Sequence, residues 1–429
     1  MVASLPSRIA IVGGLRIPFC RSHTAYADRT NLEMMTAVID ATAERYGLQG
    51  AHIDEVVGGA VVTHSKDWNL AREAVIGSRL APSTPGITLI EACGTSLQAA
   101  FGIGAKIAIG QISSGIAVGS DTTSDAPIVF SRRFSKRLVE MSQKKSTWDK
   151  VKVFQGLSPS ELAPQPPMTS EPRTGLSMGQ HCELMAKHWG ISRAAQDDLA
   201  FESHRKAAEA YASGFMDDLV VPFGGVFQDN TVRPDIARDK LASLKTVFDK
   251  SADGTLTAAN STPLTDGAAA VLLASEDWAL RKGLAPQAFL THFETAANDY
   301  VGGDGLLMAP TIAVARMLRR AGLTLQDFDY YEIHEAFAAQ VLATLAAWED
   351  GDYCRSKLGW DGPLGQLDRA KLNVKGSSIA FGHPFAATGA RITAKAAKLV
   401  SGGGRCLISI CTAGGMGVAA IVEGRGAAV

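Results

Sequence analysis

The chain has 429 residues, 42 basic and 43 acidic side chains, and a formal net charge of −1. At roughly 150 residues per domain, that length gives about three domains or two large ones. A composition of 46% hydrophobic and 20% charged residues is that of a soluble globular protein, not a disordered one. The balanced charge removes the basic surplus expected of a nucleic-acid binder.

The 43 glycines exceed the usual share of roughly 7% without a G-X-Y period, so backbone must approach closely or turn sharply somewhere. The opening MVASLPSRIAIVGG lacks the charged region, apolar core and cleavage site of a signal peptide. No apolar run reaches the roughly 20 residues that span a bilayer, and the ending GRGAAV is no peroxisomal or reticulum-retrieval signal. Cys20, Cys93, Cys182, Cys354, Cys406 and Cys411 are scattered without zinc spacing. They read as free thiols in a reducing compartment, and the expected location is cytoplasmic.

In chain order, Arg8–Val12 reads as a strand ending in Gly-Gly, and Leu32–Tyr46 as a helix stopped by Gly47. Val56–Val62 is a strand, Leu70–Leu80 a helix, and Ile87–Ala92 a strand running into Cys93-Gly94-Thr95-Ser96. A small-residue helix and the strand Gly115–Gly119 follow. From about residue 287 the order returns. Ala288–Phe293 is a strand, Pro310–Ala321 a helix, and Tyr330–Ile333 a strand entering His334-Glu335-Ala336-Phe337, then a helix to about Trp348. Gly382-His383-Pro384 precedes a helix over Phe385–Ser401, stopped by three glycines, and Cys406–Cys411 is the next strand.

Two similar α/β units are the economical reading. The expected limits are 1–123, completed by 249–281, for the first and 282–429 for the second. A region over 124–248 is inserted between them and includes helices at Ser177–Trp189 and Arg193–Ser213.

Cys93 falls at a strand-to-helix junction, where free N–H groups and the helix dipole favour a thiolate; Gly94 leaves space for a ligand. The competing reading is a buried core cysteine. His383 lies just before a helix start and could accept a thiol proton or donate to an oxyanion, although such histidines are often structural. Cys411 ends a strand before the glycine-rich loop Ala413–Gly417, where backbone N–H groups can approach a substrate oxygen. His334 ends another strand, with Glu335 expected in the first helical turn. All four lie where open α/β sheets place their sites.

Around these residues the sequence resembles the thiolases. The carrying segments are RIAIVGGLRIPF, EACGTSLQA, Met178–Ala210, Thr257–Val271 (TAANSTPLTDGAAAV), HEAFAAQ, GHPFAATGAR and CTAGGMG, in the family's order. HEAF, ANSTPLTDG and GHPFAATGAR are similar to the 3-ketoacyl-CoA thiolases of fatty-acid oxidation complexes, including the trifunctional enzyme β-subunit. The resemblance implies two repeated αβαβα-type halves with mixed sheets plus an inserted loop domain. The implied reaction is CoA-dependent cleavage of 3-ketoacyl-CoA to acetyl-CoA and a shortened acyl-CoA.

The roles it implies are Cys93 as nucleophile, His383 as the base beside it, Cys411 as acid/base and His334 in an oxyanion hole. The backbone N–H groups of Cys93 and Ala413 would form a second oxyanion hole. Met178, Ser261, Thr262 and Phe337 match acyl- and CoA-contacting positions. CoA is expected as substrate, with no permanently bound cofactor and no metal, and the chain is expected to form a homodimer or tetramer. His334 replaces the Asn found in most thiolases, and Ala413 a usual Gly.

Alternatives are a biosynthetic acetoacetyl-CoA thiolase, a decarboxylating ketoacyl synthase using Cys93, His334 and His383, and a non-catalytic acyl-CoA-binding homologue. Within 132–154, eight Lys/Arg (Arg132, Arg133, Lys136, Arg137, Lys144, Lys145, Lys150 and Lys152) face only Glu140 and Asp149. That segment reads as a solvated face, a membrane-docking surface or a contact for a hydratase/dehydrogenase subunit.

Overall fold

The computed structural model describes residues 7–426. The first and last few residues, read above for targeting signals, lie outside them. The first repeat contains β1 (Ile9–Arg16), the short β2 (Cys20–Arg21), β3 (Glu55–Gly59), β4 (Gly86–Thr88), β5 (Ser114–Asp121) and β6 (Thr265–Ser275). The second contains β7 (Ala288–Ala297), β8 (Tyr330–Ile333), β9 (Arg405–Thr412) and β10 (Met416–Gly424).

The strands run β4-β3-β5-β6-β1-β7-β10-β9-β8, with β2 pairing on β6. Read outward from the middle, both halves follow one scheme. β6 and β10 lie antiparallel to β1 and β7, and the parallel pairs β3/β5 and β8/β9 lie further out. Beyond β3 lies the parallel β4, and beyond β8 a parallel bridge between Tyr331 and Leu372 holds the matching place. The halves meet at β1 and β7 through Ala10↔Phe289 and Ile11↔Ala288. The repeat expected from element order is therefore present as a repeat of strand order.

Strand periodicity sets the layers, because alternate side chains face opposite ways. In β6, Ala269, Val271 and Leu273 face a central core, while Ala268, Ala270, Leu272 and Ala274 face the outer helices Asn31–Arg45 and Leu70–Gly77. In β10, Val418, Ala420 and Val422 face the same central core, while Ala419 and Ile421 face the outer helix Ala309–Ala321. The helices Thr95–Ala108 and Thr388–Leu399 fill the centre. Both are rich in Ala and Gly because each is enclosed by sheets and by the other helix. Ser96 joins them: its Oγ donates to Ala386 O (2.5 Å) and accepts from Ala390 N (2.8 Å).

Several elements differ in extent from their sequence reading. The strand before Cys93 ends at Thr88, so a short coil and a 3₁₀ turn over Ala92–Gly94 intervene. The helix after His383 begins at Thr388, following a 3₁₀ turn over Phe385–Ala387. The sequence reading contains neither β6 nor β10, although the alternation of β10 is plain once CTAGGMG is seen as a hairpin. Thr412 pairs with Met416, and Gly414 and Gly415 take φ of +77° and +70°.

Between β5 and β6, the helix Met178–His188 opens with a capping box from Ser177 and Gln180. The helix Arg193–Ala212 is bound to the second half by Ser203 Oγ on Glu335 (2.6 Å) and by Lys206 Nζ on Leu372 O (2.8 Å). By contrast, the helix Arg132–Gln143 buries none of its residues.

Gly119 tests the packing of the first half against the loop that carries Ala386. A Cβ there would sit 2.0 Å from the carbonyl oxygen of Ala386, a fixed backbone atom. Gly119→Ala should lower unfolding free energy by about 1–3 kcal/mol, read from the denaturation midpoint. An unchanged midpoint would contradict the packing described.

Candidate active site

The site lies where the two central helices begin, and each contributes one member of a pair. Ala92, directly before Cys93, holds φ +44°, a left-handed conformation that costs a non-glycine residue roughly 1–2 kcal/mol. Thr95 supports it: its Oγ accepts from Glu91 N (2.8 Å) and donates to Ala92 O (2.8 Å). This turn directs the Cys93 thiol at His383, with Sγ 3.0 Å from Nε2. His383 is fixed by its backbone N–H on Thr265 Oγ1 (2.7 Å) and by Nδ1 against Thr388 Oγ1 (2.5 Å). The loop after it is held by Ala386 N–H on the Asp121 carboxylate (2.7 Å).

Burial decides the ionisation of the pair. Cys93 is 3% exposed, and desolvation, with Asp121 adding to it, pushes its thiol up to about 12 against the favourable backbone N–H groups of Cys93 and Ala413. Desolvation, with the Arg391 cation adding to it, pulls His383 down to about 3. The resting pair is therefore a neutral thiol beside a neutral imidazole. This corrects the expectation of a helix-dipole thiolate, since the dipole is outweighed by the loss of water.

Cys411 is fully buried at the end of β9, and desolvation, then the neighbouring Cys93, holds its thiol well above the ordinary cysteine value. It is thus a protonated second thiol, close enough to Cys93 to be raised further by it. The backbone N–H groups of Cys93 and Ala413 both favour negative charge at the Cys93 sulfur, so they converge there. Ala413 is absent from the residues of positive φ, so alanine is tolerated where glycine is usual.

His334 lies beside His383, with ring centroids 4.2 Å apart and planes tilted by 49°. Its Nδ1 meets Ser378 Oγ at 2.7 Å, while its buried Nε2 has no hydrogen-bond partner among the described residues. Polar atoms of Cys93, His334 and His383 lie within 4.8 Å of one another. One thiol and two imidazoles are also donors that a thiophilic cation could use.

Ser261 bridges to Phe337, and its buried hydroxyl is unpartnered. Thr262 donates its N–H to Ala336 O (3.0 Å) and its hydroxyl to Ser378 O (2.9 Å). Met178 packs in the same apolar cluster as Phe337 and Cys411. The four expected substrate-contacting positions thus cluster around the segments that carry His334 and Cys411.

Two local expectations differ. Glu335 lies before the helix, which starts at Ala338. Its carboxylate instead accepts from Ser203 Oγ (2.6 Å), Asn373 Nδ2 (2.7 Å) and Ile379 N (3.2 Å), clamping the inserted region to the second half. Gly94 does not leave open space, because a Cβ there would meet Thr412 Cγ2 at 3.0 Å and Val418 Cγ2 at 3.1 Å.

The residues that set the environment of the histidines were not singled out from sequence. Thr388 and Arg391 stand inside GHPFAATGAR, five and eight residues past His383. Nothing in spacing marks Ser378.

A buried thiol–imidazole pair at the junction of two α/β repeats, backed by a second thiol, makes Cys93 the candidate nucleophile of an enzyme. Residues 9–277 match the family described as Thiolase, N-terminal domain, and residues 284–424 that described as Thiolase, C-terminal domain. The chain belongs to the thiolase family.

Among its curated relatives is a 3-ketoacyl-CoA thiolase of Shewanella sp. (strain W3-18-1), 41% identical over 97% of both chains. Another, from Pectobacterium carotovorum, is 42% identical over 97% of this chain and 96% of its own. Among solved structures, Bacillus anthracis acetyl-CoA acetyltransferase superposes with a TM-score of 0.80 at 29% identity, covering 98% and 99% of the two chains. The Acat5 thiolase of Ascaris suum in complex with coenzyme A also gives 0.80, at 25% identity and 97% and 99% coverage.

A neutral resting pair has a kinetic signature. With the thiol held up to about 12, the thiolate fraction at neutral pH lies on the rising limb of its titration. Alkylation of Cys93 by iodoacetamide should rise about tenfold per pH unit between roughly pH 7 and 9. A plateau already reached at pH 7 would mean a preformed thiolate.

Proposed function

We propose that this thiolase is a degradative 3-ketoacyl-CoA thiolase, an acetyl-CoA C-acyltransferase of fatty-acid β-oxidation. The observation that carries the mechanism is the hydrogen bond from Cys93 to His383, flanked by the buried thiol of Cys411 and the free Nε2 of His334. His383 takes the Cys93 proton as sulfur attacks the 3-keto carbon. The backbone N–H groups of Cys93 and Ala413 stabilise the tetrahedral oxyanion.

Cleavage releases the enolate of acetyl-CoA. Its thioester oxygen is held by His334 and His383, and its carbon is protonated by Cys411. Cys411 then takes the proton of incoming CoA, whose thiolate releases the acyl group from Cys93, and His383 returns its proton to the departing Cys93 sulfur. Both acid/base groups are neutral at rest, as proton donation by Cys411 and acceptance by His383 require. A decarboxylating synthase would have no task for a buried second thiol at Cys411.

We assign the first half to 1–123 with 249–281, the loop domain to 124–248 and the second half to 282–429; β6, joining β5 to β1, supports the split first half. A cytoplasmic homodimer or tetramer is the proposed form. Supporting self-association, β4 is a sheet edge whose neighbourhood exposes Trp68 (82%), Ile87 (43%) and Ile90 (54%). Among the described residues no helix is long and apolar enough to cross a membrane.

Contact with an anionic membrane surface is proposed for 132–154. There Arg132, Arg133 and Lys136 are exposed beside Phe130, Trp148 and Val151, all more than half exposed. A hydratase/dehydrogenase subunit is the other occupant of that face. Arg137 does not belong to the free set, since it donates to Glu161 (2.9 Å) and Val153 O (2.6 Å).

A substrate series from short to long 3-ketoacyl-CoA, with free CoA and Mg²⁺-enolate absorbance as readout, should show cleavage of substrates longer than acetoacetyl-CoA. Activity confined to acetoacetyl-CoA would favour the biosynthetic alternative. Cys411→Ala should lower turnover by at least about 100-fold; near-normal turnover would remove its acid/base role. Reversing Arg132, Arg133 and Lys136 to Glu should weaken binding to anionic liposomes, and unchanged binding would leave the subunit as the occupant.

A further inference from the structure

The free Nε2 of His334 is useful to an enolate only if it carries a hydrogen, and the surrounding bonds decide that. Arg391, 3% exposed, donates from Nη2 to Ser378 Oγ at 2.7 Å. A guanidinium has no acceptor, so Ser378 Oγ must accept there. The other contact of that hydroxyl is His334 Nδ1, also at 2.7 Å.

Ser378 is fully buried, and among the described residues its hydroxyl makes no further hydrogen bond. Its single hydrogen is satisfied if it points at Nδ1. In the reverse arrangement Nδ1–H would donate to Ser378, leaving the hydroxyl hydrogen without an acceptor in a dry site, at the cost of an unmade buried bond.

We propose that Arg391 and Ser378 are positioning residues that fix His334 as its Nε2–H tautomer, so that a hydrogen-bond donor is aimed at the substrate thioester oxygen before substrate arrives.

This rests on the thiolase reading of the site and adds to it the origin of the donor. Burial first, then the nearby His383 and Arg391, hold His334 far below the ordinary histidine value. The ring is therefore neutral and a tautomer choice exists. The chain begins at a cation and ends at an N–H in a low-dielectric site, so each bond polarises the next. The donor also needs no reorientation as charge develops.

An asparagine at position 334 would carry its own N–H and have no tautomer to set. The serine should therefore matter only alongside the histidine, which makes the proposal testable by a cycle. Thiolysis of a 3-ketoacyl-CoA is measured for the wild type, Ser378→Ala, His334→Asn and the double variant, with Cys93 alkylation as a check on the other pair. Ser378→Ala should lower kcat by about 10–100-fold, with KM within about twofold and the Cys93 alkylation rate kept. In the His334→Asn background the same change should alter kcat by less than about threefold.

An equal loss in both backgrounds, no loss in either, or a parallel fall in alkylation would overturn the proposal. Nitrogen NMR of ¹⁵N-histidine-labelled wild-type protein reads the tautomer directly, needs no turnover, and serves if Ser378→Ala does not fold. A protonated Nε2 with unprotonated Nδ1 at His334 is expected, and the opposite pattern overturns the relay. Wild-type protein that shows this tautomer yet cleaves no 3-ketoacyl-CoA would sink the substrate reading and leave the relay standing.

Discussion

The arrangement depends on one hydrogen bond, 3.0 Å long, between Cys93 Sγ and His383 Nε2. Its two ends belong to different repeats, so it exists only if the halves are correctly joined. The junction at β1 and β7, the Ser96 bonds between the central helices and the grip of Asp121 on Ala386 all fix that register. A misplacement of even 1 Å would weaken this contact, and close backbone packing, as at Gly119 against Ala386, leaves the loop after His383 little room to move.

Enclosure has an electrostatic consequence. A dry site disfavours every charge, so thiol and imidazole rest neutral and the proton moves only when the developing oxyanion can be stabilised. In the proposed mechanism the donors for that charge are already in place: the N–H groups of Cys93 and Ala413 at the sulfur, and the two histidines for the enolate. Burial above all, with the Arg391 cation adding to it, keeps both histidines unprotonated.

Much of this was legible in the chain. Strand-to-helix junctions can be read from β-branched runs meeting Gly, Cys or His, so Cys93, His334, His383 and Cys411 could be singled out by position. The doubled order of elements gave the two halves. Less legible was whatever depends on distant partners. β10 was missed because its glycine-rich approach reads as loop until the pairing of Thr412 with Met416 is known. Glu335 was misplaced because Ser203, from the inserted region, claims its carboxylate. The thiol's ionisation was misjudged because a helix dipole is visible in sequence and the exclusion of water is not. Ser378 carried no signal, since its importance comes wholly from the two side chains it touches.

The central claim is that Cys93 carries the acyl group between two half-reactions. Incubating the protein with a 3-ketoacyl-CoA in the absence of free CoA, followed by mass spectrometry of its peptides, tests this most directly. One shortened acyl group on the Cys93 peptide, with an equal burst of acetyl-CoA, is the predicted result. Acyl transfer onto another cysteine, or acetyl-CoA released with no acylated peptide, would contradict it.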